Sequence, residues 1–149
     1  MRAGTTAPGL GLVWHEEYPM TETLDALEML VAAHQATGWS MESAPPWWLS
    51  EIVVARVVVG DVGFHGPPPT TGPLEVEIGY NVVPGLRRRG VATQACRLIL
   101  TQAWSDGATS VTAETEGHNL ASQLVLLHSG FTDLGGFRYR AERPAEVGG

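Results

Sequence analysis

Two kinds of hydrophobic pattern alternate along the chain. Between residues 22 and 37 apolar residues recur at every third or fourth position and Gly38 follows, which predicts an amphipathic helix with a glycine stop. The β-branched runs 51–59 and 60–66 predict two strands, with a turn signal at the Gly-Asp pair between them. The stretch LEVEIGYNVV (74–83) alternates with a period of two and predicts another strand.

The rest of the pattern predicts a mixed α/β sheet in one domain over residues 1–149. The element order is β-α-β-β-β-α-β-α-β-β, so helices lie between strands, and there is no internal repeat and no doubly wound pattern. The remaining predicted elements are a strand at 11–15, a helix at 90–105, a strand at 109–116, a helix at 119–130 and two closing strands at 131–135 and 137–143.

Composition narrows the chemistry. The net charge is −7, which argues against a general binder of nucleic acid or of an anionic membrane, because both need a broad basic surface. All nine cations are arginine, so Schiff-base chemistry and a lysine-containing phosphate loop are excluded. The single cysteine cannot form an internal disulfide, and no signal peptide or membrane span is recognisable. A cytoplasmic location is therefore expected.

The stretch GLRRRGVATQACRLIL (85–100) places three arginines and a glycine at the start of an apolar helix. A strand, a short turn and a helix N-terminus together present unpaired N–H groups and a positive helix end, which suits a phosphate. Gly90 and Ala92 leave room for a bulky anion, and Thr93 adds a hydroxyl. On this turn alone, a solvated arginine run is an equal alternative.

Three motifs in order resemble one family. Arg87-x-x-Gly90-x-Ala92 matches the R/Q-x-x-G-x-G/A signature of the GNAT superfamily of acyl-CoA-dependent N-acetyltransferases. EIGY (77–80) and Asn119-x-x-Ser122 continue the resemblance, which ends at Gly130-Phe131 and covers residues 50–135. The combination is similar to the branch of ribosomal-protein N-terminal acetyltransferases.

The resemblance implies a central sheet whose two parallel strands splay apart around acetyl-coenzyme A. The backbone of Val82 and Val83 would pair with the pantetheine arm, and a backbone N–H near Val82 would meet the oxyanion. The turn from Arg88 to Thr93 would hold the pyrophosphate, with the 3′-phosphate near the arginines. The implied cofactor-binding residues are Val82, Val83, Arg87, Arg88, Arg89, Gly90, Val91, Ala92, Thr93, Asn119 and Ser122.

Glu77 is the candidate general base. Glu75 and Glu77 share a strand face with Asn81, and a carboxylate among valines can have its pKa raised by desolvation. By resemblance, Glu77 also falls where histone-type members of the superfamily place a glutamate base. A surface glutamate on a half-exposed strand is the alternative.

Ser122 is the candidate partner of the leaving thiolate. In the family a tyrosine in the helix after Asn119 usually donates a proton to that thiolate, but Leu126 stands at its position here. The ribosomal-protein branch carries a serine at the position of Ser122, which would contact the coenzyme A sulfur. A helix-surface serine bonded to backbone is the alternative. Asn119 is itself a favoured helix N-cap residue, which is compatible with a pantetheine contact.

Other reactive residues receive weaker roles. His65 follows a strand near the expected acceptor cleft, either as a second base or as a hydrogen-bonded strand-end histidine. Cys96 is expected in the core, and the five histidines show no metal-ligand spacing, so no metal is expected. Three tryptophans near the expected acceptor pocket would either stack on substrate or pack in the core: Trp39, Trp47 and Trp48.

The sequence thus predicts an acetyl-CoA-dependent N-acetyltransferase with no metal. The acceptor would be a primary amine, either a protein N-terminus or a small amine such as a polyamine, an amino acid or an aminoglycoside. The alternative from another class is a non-catalytic acyl-CoA-binding sensor, and an RNA-binding domain is a more distant one. Neither nucleic acid nor membrane is expected as a partner, and a homodimer is left open.

Overall fold

The computed structural model describes residues 6–7, 11–38 and 47–145. In these ranges there are three α-helices and eight strands, of which seven follow the predicted order and the eighth is an additional short strand near the N-terminus. The elements are β1 (Thr6–Ala7), β2 (Leu12–Trp14), α1 (Thr21–Thr37), β3 (Leu49–Val54), β4 (Val57–Phe64), β5 (Glu75–Val82), a 3-10 turn (Pro84–Leu86), α2 (Val91–Ser105), β6 (Ser110–Glu114), α3 (Leu120–His128), β7 (Thr132–Gly135) and β8 (Arg138–Glu142).

The strands form a mixed sheet in the order β1-β2-β4-β5-β6-β8-β7, with β3 paired to β4. Two pairs are parallel, β2 with β4 and β5 with β6, and the other pairs are antiparallel. Helices flank this sheet, which confirms the predicted mixed α/β class.

The central parallel pair is very short. β5 and β6 are registered at three positions only, Glu75 with Ser110, Val76 with Val111 and Glu77 with Thr112. Beyond Glu77, β5 stays paired with β4 as far as Val82, and β6 stays paired with β8 as far as Glu114. The two halves of the sheet therefore separate after the Glu77–Thr112 pair, as the predicted splay requires.

The two faces of β5 have different neighbours. Asn81 lies opposite Asp61, and Asp61 accepts a hydrogen bond from Thr23, so α1 covers the odd-numbered face of β5 at that end. Tyr80 lies opposite Val62, and Val62 borders a groove formed with α2. The helices α2 and α3 thus pack on the even-numbered face. Buried side chains between them include Val58, Ile78, Val82, Cys96, Ile99, Val111 and Leu126.

The predicted turn at Gly60–Asp61 is wrong. The β3–β4 turn lies at Ala55–Arg56, where both residues have positive φ (50° and 67°), as a two-residue hairpin requires. Gly60 instead lies inside β4. A side chain at this position would overlap the backbone carbonyl of Asn81 on the neighbouring strand. Gly60 is thus required by close strand packing and not by a turn.

Within the described ranges, no helix is both long and apolar enough to cross a lipid bilayer.

The hairpin assignment predicts opposite outcomes for two small substitutions. Gly60→Ala should lower the free energy of unfolding by about 1–3 kcal/mol, because the added methyl must displace strand backbone. Ala55→Gly should leave stability within about 1 kcal/mol of wild type, since glycine removes the left-handed strain at the cost of unfolded-state entropy. Urea denaturation at neutral pH measures both. A turn at residues 60–61 would reverse the order of the two variants.

Candidate active site

The arginine turn opens onto the N-terminus of α2. Gly90 is the N-cap residue with φ 80°, and among the described residues no side chain caps this helix end. A Cβ placed on Gly90 would meet nothing within 4 Å. The first backbone N–H groups of α2, from Val91 to Thr93, have no carbonyl partner inside the helix. The turn therefore presents backbone donors and a positive helix end to solvent.

The three arginines of the turn are not equivalent. Arg87 donates from Nε to the carbonyl of Val82 at 2.9 Å and so ties the turn to the end of β5. Arg88, at φ 65°, and Arg89 are exposed beside Gly90. Arg88 and Arg89 are therefore better placed than Arg87 to meet an anion with their whole guanidinium groups.

The end of β5 presents backbone groups toward the splay. Val83 donates its N–H to the carbonyl of Val59 at 2.8 Å, and its own carbonyl accepts from Leu86 at 3.0 Å. In antiparallel pairing, successive residues direct their backbone groups to opposite sides of the strand. The N–H groups of Tyr80 and Val82 therefore point away from β4, to the side where β6 no longer pairs with β5. The Val82 N–H therefore faces the splay, whereas the Val82 carbonyl accepts from Arg87. Both backbone groups of Val83 are engaged within the chain, against the expectation that Val83 pairs with a pantetheine arm.

Ser122 and Asn119 lie at the start of α3 beside this strand end. The Asn119 side chain accepts from the Ser122 N–H at 3.1 Å and caps the helix. The Ser122 hydroxyl lies 3.0 Å from the Tyr80 hydroxyl, which also donates to the Ser122 carbonyl at 3.1 Å. The main partner of Ser122 is therefore a phenol from β5.

Tyr80 is the residue that the sequence interpretation missed. It belongs to the EIGY stretch but received no role there. Side chains alternate along β5, so Tyr80 lies on the opposite face of the strand from Glu77. This alternation was the available signal that Tyr80 points toward α3. Leu126, at the position of the usual family tyrosine, is fully buried in the core. The phenol beside Ser122 thus comes from the strand, and burial raises its pKa above the ordinary tyrosine value.

Glu77 lies at the last pair before the splay, on the opposite face from Tyr80. Its carboxylate is 3.3 Å from Nδ1 of His65, and its carbonyl accepts the His65 backbone N–H at 2.9 Å. The hydrogen bond from His65 lowers the pKa of Glu77 and outweighs the opposing effect of burial. The expectation of a raised pKa is therefore wrong, because His65, the residue that follows β4, contacts the carboxylate.

An open recess of about 300 Å³ adjoins this pair. Its lining includes Glu75, Glu77, Thr112, His65 and Arg138. Glu75 is held by Ser110 at 2.6 Å and by Arg140 at 3.3 Å. The recess is thus a polar surface with carboxylates on the odd-numbered face of β5.

A second acidic group is buried under α1. Asp61 accepts from the Thr23 hydroxyl at 2.6 Å and from Asn81 Nδ2 at 3.4 Å, and it interacts with the Tyr18 hydroxyl. Burial raises the pKa of Asp61 above the ordinary value, although its hydrogen bonds oppose this effect. The same burial, with Asp61 nearby, raises the pKa of Tyr18. This polar cluster joins α1 to the sheet.

The other candidates are structural where they are described. Cys96 is fully buried, and burial raises the pKa of its thiol to about 12, which confirms a core role. Trp47 is buried edge-on against Phe64, with ring centroids 4.9 Å apart, and Trp48 packs partly buried against the core. Trp39 lies outside the described residues. Within the described part of the chain, no three His, Cys, Asp or Glu side chains are grouped to hold a metal.

A match to a protein-family model identifies the family of this chain. The model of the acetyltransferase (GNAT) domain matches residues 12–132, which is most of the chain. The chain belongs to the GNAT acetyltransferase family. Comparison with curated proteins gives no significant match.

Solved GNAT structures share the fold. An acetyltransferase from Agrobacterium tumefaciens is 19% identical with a TM-score of 0.59, over 85% of this chain and 74% of that one. The ribosomal-protein-S5-alanine acetyltransferase from Vibrio fischeri is 17% identical with a TM-score of 0.50, over 54% and 44%. The aminoglycoside acetyltransferase AAC(6')-Ib in complex with coenzyme A and kanamycin is 12% identical with a TM-score of 0.57, over 64% and 66%. The latter two alignments span less than two thirds of the matched proteins.

The buried carboxyl predicts a pH-dependent difference between wild type and Asp61→Asn. Because the folded-state pKa of Asp61 is raised, the native protein holds this proton to higher pH than the unfolded chain does. The carboxyl therefore costs stability progressively as pH rises from about 3.8. The stability of Asp61→Asn relative to wild type should rise over this range, as measured by urea denaturation at pH 3.5, 5 and 7. A difference that is flat or falls with pH would contradict the assignment.

Proposed function

We propose that this GNAT domain transfers an acetyl group from acetyl-coenzyme A directly to a primary amine. The observation that carries the proposal is the separation of β5 from β6 after Glu77. It exposes strand backbone between the arginine turn on one side and the His65–Glu77 pair on the other. One cleft thus adjoins an anion site and an acid–base pair.

Acetyl-coenzyme A fits the even-numbered side of this cleft. The N-terminal N–H groups of α2 and the exposed Arg88 and Arg89 suit its phosphates. The Val82 N–H, which faces the splay, suits an amide carbonyl of the pantetheine arm, and the arm would add to β5 as a strand does. Asn119, at the neighbouring N-terminus of α3, is proposed to contact the same arm.

The reaction needs a neutral amine, a polarised thioester carbonyl and a leaving thiolate. The amine nitrogen forms a bond to the carbonyl carbon, and the carbon–sulfur bond then breaks. A backbone N–H near Val82 at the splay is proposed to bind the oxyanion. Ser122 is proposed to donate to the sulfur. Tyr80 would then turn its single hydroxyl proton from the Ser122 carbonyl to the Ser122 hydroxyl oxygen, so that both hydroxyls support the departing thiolate.

Glu77 is proposed to take part in the reaction on the side of the acceptor amine. It lies at the branch point of the cleft and borders the polar recess. Its lowered pKa means that it is ionised at neutral pH and attracts a cationic acceptor. We assign the removal of the amine proton to the hydrogen-bonded pair that Glu77 forms with His65.

The proposed class of acceptor is based on the charge of the recess and on the structural neighbours. The carboxylates that line the recess favour an amine that arrives as a cation. One structural neighbour is a ribosomal-protein alanine acetyltransferase, and another is complexed with kanamycin. A protein N-terminus and a small polyamine-like amine are therefore the two acceptor types to compare. Leu126, in place of the usual tyrosine, is the observation that favours a coenzyme A-binding sensor as the alternative.

Calorimetric titration with acetyl-coenzyme A tests the anion site. Wild type should bind, and Gly90→Asp should lose more than about tenfold in affinity, because a carboxylate would replace open space at the phosphate position. Gly72→Asp is the matched control, since Gly72 also has a positive φ (83°) and nothing within 4 Å of its Cβ position. Equal affinity in all three proteins, or no binding by wild type, would reject this site for coenzyme A.

Release of free thiol in the presence of an amine tests the thiolate partners. Suitable acceptors are an alanine-initiated peptide, kanamycin and spermidine. Tyr80→Phe and Ser122→Ala should each lower kcat about tenfold, a modest loss because a thiolate leaves without full protonation. Since the two hydroxyls act together, the double variant should be little worse than either single one. Acetyl-CoA binding without thiol release for any acceptor would favour the sensor.

A further inference from the structure

The imidazole of His65 lies against Gly79 of β5. A Cβ at Gly79 would be 2.6 Å from His65 Nε2, so only glycine leaves room for the ring. Nδ1 at the other side of the ring is 3.3 Å from the Glu77 carboxylate, and the His65 backbone N–H bonds to the Glu77 carbonyl at 2.9 Å. The side chain is nevertheless about one third exposed (32%). The ring is therefore held in place while it remains accessible from the recess.

The ring lies where the proposed substrates would meet. Glu77 forms the last pair with β6, so Gly79 is the first odd-numbered residue of β5 inside the splay. Tyr80 and Val82, which face the splay with their backbone, follow directly. An acceptor on the odd-numbered face would pass the His65 ring on its way to a thioester held at this strand end.

We infer that His65 is the group that takes the proton from the acceptor amine, and that Glu77 positions it. This inference rests on the proposed function and names the residue that performs its proton-transfer step. The hydrogen bond from Nδ1 to Glu77 directs the Nδ1 proton toward the carboxylate and leaves the lone pair on Nε2. Glu77 also stabilises the imidazolium that forms, as a carboxylate beside a catalytic histidine does.

The chemistry favours the histidine over the carboxylate. The pKa of Glu77 is lowered below the ordinary glutamate value, so its ionised form is a weak base toward an ammonium ion. Imidazole as a side-chain type titrates nearest to neutral pH. The other ionisable groups that line the recess are Glu75 and Arg138, and the loop over residues 66–73 carries none.

The proton balance of the step is complete. An acceptor R–NH₃⁺ gives one proton to Nε2 of His65 and becomes R–NH₂. Its nitrogen attacks the thioester carbon, the carbon–sulfur bond breaks, and the second nitrogen-bound proton leaves with the thiolate as the thiol. His65 then returns its proton to solvent, so the products are the acetylated amine, coenzyme A and one proton.

The pH dependence of kcat/KM distinguishes the two possible bases. It is measured by thiol release with whichever of the alanine-initiated peptide, kanamycin and spermidine reacts fastest. His65→Gln should lower kcat/KM by about 100-fold or more at neutral pH, and its remaining rise with pH should follow only the ionisation of the acceptor amine itself. Glu77→Gln should lose less, about tenfold, and should keep the pH profile of an imidazole base, because His65 is still present. A pH profile of His65→Gln that matches that of wild type would overturn the inference.

Gly79→Ala gives an independent test that keeps the histidine. The added methyl should push the ring away and lower kcat/KM nearly as much as His65→Gln, while the Gly79→Ala/His65→Gln double variant should be no worse than His65→Gln alone. His118→Gln is the control, since His118 forms a 3.1 Å pair with Glu116 that is almost fully exposed. Additive losses in the double variant would contradict a shared role.

Calorimetry with acetyl-coenzyme A distinguishes a failure of the His65 role from a failure of the proposed function. Both His65→Gln and Gly79→Ala should bind it as wild type does, and thermal unfolding should show that they are folded. Wild type that binds and transfers while His65→Gln keeps its pH profile would reject only the role of His65. Wild type without thiol release from all three amines would reject the proposed function and, with it, this inference.

Discussion

The three-residue ladder between β5 and β6 is the constraint on which the site depends. Parallel strands usually continue side by side, and backbone groups left without partners are costly unless water or a ligand meets them. Here pairing stops at Glu77 and Thr112, and β5 continues alone on that side through Tyr80 and Val82. The hydrogen bonds between Tyr80 and Ser122 connect β5 to α3 beyond the last ladder pair.

The alternation of β5 then separates the two halves of the chemistry. Odd positions carry Glu75, Glu77 and the glycine against which His65 lies, and even positions carry Tyr80 and the core valines. A slip of one residue would exchange the two faces completely. The buried bond between Asp61 and Thr23 opposes such a slip at the neighbouring strand, because it fixes β4 against α1. The cost of burying Asp61 is thus connected to the register of the site.

The sequence predicts the elements well and their contacts poorly, for physical reasons. Periodicity reports which face of an element is apolar, so α1, α2 and β5 lie close to their predicted ranges. Ala55 and Arg56 carry no turn signal, and Gly60 is needed by a neighbouring strand, so the hairpin was misplaced. The pKa of Glu77 depends on His65, which follows a different strand, β4. The splay itself was expected from the family resemblance and from no local pattern.

Charge is distributed unevenly over this acidic protein. Three of its nine cations precede α2, while the recess on the other side of the sheet is lined by Glu75 and Glu77. One of the three, Arg87, bonds to the Val82 carbonyl and shapes the turn, so the anion site depends on helix backbone as much as on charge. The proposed polyanion and the proposed cationic amine would thereby be drawn to opposite faces of the same strand. Their reacting groups would meet at the splay, because β6 is paired with β5 before it.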